Sequence, residues 1–451
     1  MLHQQSPWLY ELKTSRKAYS FGNYSERRDI VIIGGGIAGV MTAYFLLTLT
    51  KKNVVLLEGN TIASGATGHN AGQLISYLEK PFEEIVEQYG ESLALEGQKD
   101  INSGWDLLED IKKTLRIKTP IYIFEGLSGC VSAKPVYTHL QNRFLRPQVS
   151  HQNEFCLIAD DCPFLEAIPS TFSDLYTIVP RKVILDLLET HDTSYSVAFT
   201  AKKGCMNSAM FCEEVIEYLL KKYNDRFEVH ENAHVSEIIL NKEDVYTRVN
   251  NEISLISNKI VLCTNGFRNI KIINRAGKTI SSELHEALHG KIGFMKAYTF
   301  KDIKKPVAIS YYNSKDSDYF YLTRRPSTIS TDNHHNLVSI GGPEHFLADK
   351  HTYTTDHAYP KDILKKIDVF IEKTRINEFK EHYEHVFVWH GLMGYTKKGL
   401  RLIGPDIHNK VLMYNLGCNG VGILPAIFGG KKIALFVNDN VHKKSIFDPN
   451  I

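Results

Sequence analysis

The 451-residue chain is bounded first by what it lacks. No apolar run approaches the roughly twenty residues that span a bilayer. The opening "MLHQQSPWLYELKTSRKAYSFG" has no apolar core of the kind a secretion signal needs. Both absences make a cytoplasmic chain without stable membrane insertion the expectation. Neither sign of charge dominates: 53 Lys and Arg against 51 Asp and Glu leave a formal net charge of +2, so no global field recruits nucleic acid. The local basic group Arg268, Lys271, Arg275 and Lys278 reads as a solvated face. The seven cysteines (Cys130, Cys156, Cys162, Cys205, Cys212, Cys263 and Cys418) form no C-x-x-C pair and no zinc-type spacing with histidine. Reduced thiols and no metal site are therefore expected. The 19 histidines are spread along the chain, and "DNHHN" at Asp332 reads as a loop tip. No internal repeat or low-complexity tract appears.

What is present begins at Asp29. In "DIVIIGGGIAGVMTAYFLL" a β-branched run, Ile30 to Ile33, reads as a buried strand, and the apolar residues from Ile37 recur at helical spacing. Gly34, Gly36 and Gly39 between and within them fit G-x-G-x-x-G. In that pattern the first glycine lets the chain turn, the second admits a pyrophosphate against the backbone, and the third lets helix and strand pack closely. The unpaired N–H groups at the helix start would receive the phosphates. "NVVLLEGN" supplies the next strand and ends on Glu58, 19 residues past Gly39, where the pattern places a carboxylate for ribose hydroxyls. A glutamate there disfavours a 2′-phosphate, because two negative groups would share one pocket.

Further along, "TIASGATGHNAGQL" from Thr61 to Leu74 is rich in small residues and suits close backbone approach to a flat or anionic group. Amphipathic helices follow. Residues 120–200, punctuated by Pro135, Pro147, Pro163, Pro169 and Pro180, are the least legible part. A helix near Ala209–Tyr223 and the strands "RFEVHENAHV" and "NKIVLCTNGF" restore the nucleotide-domain character, which implies domains discontinuous in sequence. "SDYFYLTRR" alternates: Tyr319, Tyr321 and Thr323 point one way, and Phe320, Leu322 and Arg324 the other. At the C-terminal end, "KVLMYNLG" reads as a strand, "CNGVG" as a glycine turn and Ile423 to Val437 as a helix, again placing exposed N–H groups at a helix start.

The fingerprint, "SGATGHNAG", "KIVLCTNG" and "WHGLMGYTKKGLRLIG…NLGCNGVG" together resemble the FAD-dependent D-amino acid oxidase superfamily, which includes glycine oxidase, sarcosine oxidase, dimethylglycine dehydrogenase and γ-glutamylputrescine oxidase. The resemblance covers both ends and a central strand but not residues 120–200. It implies an α/β fold: a Rossmann-type FAD-binding domain with an inserted α+β substrate domain built on a mainly antiparallel sheet. The expected boundaries are an N-terminal extension over 1–28, an FAD-binding domain over 29–90, 205–290 and 385–440, and a substrate domain over 91–204 and 291–384. It places Gly34, Gly36, Ile37, Ala38 and Gly39 around the pyrophosphate and Glu58 on the ribose. Ser64, Gly65, Ala66, His69 and Asn70 would lie along the diphosphate and flavin, and Val235 at the adenine. Thr264, Gly266, Gly391, Gly417, Asn419, Gly420, Val421 and Gly422 complete the implied FAD contacts.

The activity implied is oxidation of a C–N bond in a small amine or amino acid to an imine, with electrons passing on to oxygen or another acceptor. The flavin carries the redox step, so no protein nucleophile is required. His69 occupies a register in which dimethylglycine dehydrogenase and its relatives bond a histidine covalently to flavin. Noncovalent contact is the expectation here, and Met393 stands near where sarcosine oxidase has its linking cysteine. Tyr319, Tyr321 and Arg324 lie on the strand that carries substrate-binding tyrosine and arginine in relatives, although the alternation keeps Arg324 off the tyrosines' face. The two tyrosines are equally readable as ordinary sheet aromatics. Many relatives have Thr-x-Asp-Gly where this chain has Thr396, Lys397, Lys398 and Gly399. If that turn borders the substrate entrance it favours an anionic amino acid, and if it is a surface turn it carries no such information. Two alternatives stay open: a tRNA-modifying FAD oxidoreductase of the same fold, disfavoured by the balanced charge, and a non-catalytic flavin-binding module.

Overall fold

The strand, turn and helix signals at Asp29 are realised in a computed structural model of the chain, which describes all residues except 13–17, 20–26, 148–153, 252, 267–269, 276–279, 281–283, 285, 302–303, 314–318, 330–334, 348–358, 440–442 and 450–451. Arg268 and Lys278 of the basic group, and 332–334 of the histidine loop, lie outside the described residues. The strand Arg27–Ile33 feeds the helix Ile37–Leu49, and Val54–Leu57 returns parallel beside the first strand. Both strands read as continuous apolar runs because a central parallel strand is covered on both faces.

These strands belong to a nine-stranded sheet. Phe227–His230 extends it parallel to Val54–Leu57, and Ile253–Leu262 lies parallel on the other side of Arg27–Ile33. Ile253–Leu262 has two kinds of partner. Its N-terminal part pairs antiparallel with Val245–Val249, while its C-terminal part receives Leu412–Leu416 in parallel. The helix Ile423–Asp439 that follows packs on Ile37–Leu49, so the two ends of the chain meet on one face of this sheet. Their contact is close: a Cβ on Gly430 would stand 2.8 Å from the backbone of Met41.

The second sheet has eleven strands. Across it lie Tyr383–Thr396, Leu288–Lys301, His335–Leu347, Tyr319–Pro326, Val307–Tyr312, Ile121–Cys130 and Val197–Met206, with short strands at the margins. Most neighbours in this series are antiparallel, and Val307–Tyr312 with Ile121–Cys130 is a parallel pair. The least legible segment thus contributes a full strand, Ile121–Cys130, and the helix Ala133–Leu145. At the N-terminus, Leu2–His3 pairs with Tyr383–Thr396, and the helix Pro7–Leu12 buries Trp8. Glu11 forms a buried ion pair with Arg325, tying that helix to the large sheet. Among the described residues no helix is long and apolar enough to cross a membrane.

Candidate functional site

The two sheets enclose a cavity of about 1570 Å³, above the roughly 300–1,000 Å³ usual for a single small-molecule site. One end is built from the first strand-turn-helix. Gly34 has φ +109°, and a Cβ there would stand 2.6 Å from Cys263 O. At Gly39 a Cβ would fall 1.8 Å from Gly34 O, so the helix crosses the strand at a distance only glycine permits. Gly36 caps the helix without a side-chain hydrogen bond, leaving its first N–H groups for the cavity or for neighbours. One is taken: the Ile37 N–H donates to Thr67 Oγ1 at 2.9 Å. Glu58 also faces this end, where its carboxylate accepts from the Gly35 N–H at 2.7 Å and the Asn60 N–H at 2.8 Å.

Orphaned polar atoms are more informative than filled ones, because a buried hydroxyl without a partner costs free energy until a ligand or water supplies one. Ser64 and Ser236 both line the cavity, and each has a buried Oγ with no partner among the described residues. Ser64 lies beside the glycine turn, and Ser236 follows Val235, itself a lining residue. A glycine-lined helix start, a carboxylate and two waiting hydroxyls fit a dinucleotide with its diphosphate at the helix.

The middle of the cavity is bounded by the small-residue segment. Gly65, Ala66, His69 and Asn70 line it, and the Trp8 Nε1–H donates to Asn70 O from behind. His69 Nδ1 lies 3.0 Å from Gly65 O. A carbonyl only accepts, so the proton sits on Nδ1. Burial lowers the His69 pKa, which keeps the ring neutral. Opposite, a Cβ on Gly391 would meet His69 O at 2.4 Å. Thr264, Val235, Gly420, Val421 and Gly422 complete this lining. Gly39, Gly266, Gly417 and Asn419 are not among the lining residues. Asn419 instead accepts the Thr396 N–H at 2.8 Å, and Gly266 packs against Leu288.

The far end is roofed by one face of the eleven-stranded sheet. Tyr319 and Tyr321 line it together with Tyr77, Glu79, Lys291, Glu344, Tyr395 and Lys203. Arg324 does not join them. It projects from the other face, 4% exposed, and donates to both carboxylate oxygens of Glu189 at 2.6 and 2.8 Å. The strand alternation places it there, and the bulge that could have turned it inward is absent from the paired register. Lys397 and Lys398 are also absent from the cavity lining, so their charge says nothing about the ligand.

Glu79 was not singled out by sequence reasoning: it sits in an irregular segment, "ISYLEKP", with no periodic neighbour. Its side chain is exposed to the cavity, and desolvation by the surrounding walls, with Glu344 as a like charge, raises its pKa to about 8. Lys291 opposes that rise and pairs with Glu344 at 2.9 Å. Burial also holds the tyrosines above their ordinary pKa, Tyr319 at about 12, so they stay neutral O–H donors.

Comparison with known proteins is consistent with this geometry. Residues 29–123 match the DAO family model, FAD dependent oxidoreductase. A Rieske 2Fe-2S iron-sulfur protein of Bacillus subtilis is 37% identical over 91 residues, 19% of this chain and 17% of that protein. Human mitochondrial dimethylglycine dehydrogenase is 47% identical over 49 residues, 11% of this chain and 6% of that protein. The match thus spans about a sixth or less of the length of these curated relatives. Glycine oxidase from Bacillus cereus superposes with a TM-score of 0.61 at 15% identity, covering 92% of this chain and 96% of that one, which shows a shared fold.

Proposed function

We propose, from a chain whose residues 29–123 match the DAO family model and whose fold is that of glycine oxidase, that it oxidises the C–N bond of a small amine or amino acid to an imine. The observation that carries this reading is one continuous cavity: a cradle suited to a dinucleotide at one end opens directly onto a pocket lined by neutral phenols and a carboxylate of raised pKa. In this reading the nine-stranded sheet holds FAD, and the eleven-stranded sheet, whose strands interleave with it in sequence, supplies the substrate face.

Gly34, Gly36, Ile37 and Ala38 would hold the diphosphate with the Ser64 hydroxyl, Glu58 the ribose, and Val235 with Ser236 the adenine. Gly65, Ala66, His69, Asn70, Gly391 and Gly420 to Gly422 would border the flavin. Bound there, FAD supplies a two-electron acceptor for the hydrogen on the carbon beside nitrogen. The chain's own residues do the rest. The amine must lose its proton before its lone pair can assist that transfer, and Glu79 is the carboxylate placed to accept it, with a pKa raised toward that of an amine. Tyr321 orients the substrate by O–H donation, Tyr319 holds the Ser310 hydroxyl beside it, and the aromatic walls exclude water. Electrons then leave to oxygen or another acceptor. His69, neutral and anchored by Nδ1, contacts the flavin noncovalently.

The test is anaerobic mixing of the FAD-loaded protein with a panel of amines and amino acids. Loss of the flavin band near roughly 450 nm with at least one compound supports the reading. No bleaching with any of them, with FAD firmly bound, contradicts it.

A further inference from the structure

Lys203 is the most deeply buried cation of the cavity lining, 3% exposed, on the strand Val197–Met206. Its side chain lies across the neighbouring strand, over Gly126. A Cβ on Gly126 would stand 2.3 Å from Lys203 Cδ and 2.5 Å from Cγ, so the absence of a side chain there is what gives the lysine its path. At the end of that path Nζ donates to Leu127 O at 3.1 Å and to Ser310 Oγ at 3.0 Å. The same Ser310 Oγ receives the Tyr319 hydroxyl at 3.3 Å. Ser310 stands opposite Tyr321 on one side and Ser128 on the other, both of which line the cavity.

Among the described residues no carboxylate pairs with Lys203. An ammonium has three N–H donors, and two neutral acceptors leave one unspent. Burying a charge without its opposite is costly, and burial pulls the Lys203 pKa down to about 7. The Ser310 and Ser128 hydroxyls beside it can donate, while neutral Tyr319, whose proton goes to Ser310, adds no opposing charge. One positive charge surrounded by hydroxyl donors suits a singly charged planar acid. Tyr77 and Glu79 line the cavity on the other side of Tyr319, so the pocket is basic at one end and acidic at the other.

We propose that Lys203, given its path by Gly126 and held beside Ser310, is the residue of this cavity that binds a carboxylate, since Arg324 is spent on Glu189. This rests on the reading of the cavity as an amine-oxidising site. It assigns the two ends of the substrate: nitrogen toward Glu79, acid toward Lys203.

The FAD-loaded protein is titrated calorimetrically with acetate, propionate and butyrate and with their primary amides, which match them in shape but carry no charge. At least one acid is expected to bind about tenfold or more tighter than its amide. In K203M that preference disappears, because acid binding falls further than amide binding. G126A, which pushes the lysine off its path, weakens acid binding in the same direction. K203M replaces a buried charge by an apolar chain of similar length, so its melting temperature is expected to equal or exceed that of the parent. An acid-over-amide preference that survives in K203M, or a parent protein that takes up FAD but shows none, overturns the subsite alone. A protein that takes up no FAD overturns the underlying reading and the subsite with it.

Discussion

Two charged side chains show how neighbours, rather than residue type, set a role. Arg324, an arginine on the strand that faces the cavity, is spent on Glu189 behind the sheet. R324M is therefore expected to cost about 1–2 kcal/mol of stability, because it removes a buried, bidentate guanidinium from a carboxylate that is itself only partly buried. The flavin bleaching rate of the folded fraction should stay within about twofold of the parent; a selective loss of rate at unchanged melting temperature would contradict this placement. Glu79 is the opposite case. Glu344 faces it as a like charge and Lys291 as a compensating one. Its pKa lies above that of a free carboxyl, so it is protonated below about 8 and becomes a proton acceptor above it. Accordingly kcat/KM should rise through about 8, apart from the limb due to the amine itself, and E79Q should lower kcat/KM by roughly 10²-fold or more and abolish that limb. Of these residues the sequence disclosed only the facing of Arg324, through strand alternation. Glu79 and Lys203 were invisible to it, the first because its segment has no period, the second because a lysine pair in a strand gives no sign of which member turns inward.

At the scale of elements, legibility followed the range of the contacts. The strand-turn-helix from Asp29 is local: three glycines at fixed offsets, a β-branched run and a helical period are all contained within about twenty residues. Its structure agrees down to the close crossing of Gly39 and Gly34. G39A is expected to force helix and strand apart, costing about 1–3 kcal/mol and abolishing FAD retention on gel filtration. Retention of FAD with unchanged melting temperature would show that the crossing is not tight. The strand Ile121–Cys130 and the helix Ala133–Leu145 escaped notice because their order comes from partners far away in sequence, Val197–Met206 and Val307–Tyr312. Prolines and irregular connections between them mask any period.

At the scale of the molecule, two sheets that interleave along the chain converge on one cavity, and neither could close it alone. The discontinuity was visible in the late return of buried strands such as Ile253–Leu262. How the sheets face each other was not, since that depends on packing across the whole chain. The segment Thr61–Leu74 is the seam: it carries His69 against Gly391 of the large sheet and Ser64 beside the glycine turn of the small one. His69, with Nδ1 held by Gly65 O, is expected to contact the flavin without a covalent bond, and acid precipitation of the loaded protein should then release the yellow colour to the supernatant. Colour kept in the pellet would show a covalent bond.

The most direct measurement is a titration of the purified, cofactor-stripped protein with FAD, followed by the absorbance of the bound fraction. One FAD per chain is predicted, retained through gel filtration and lost in G39A. A parent protein that stays colourless and takes up no FAD at concentrations well above its own would contradict the account.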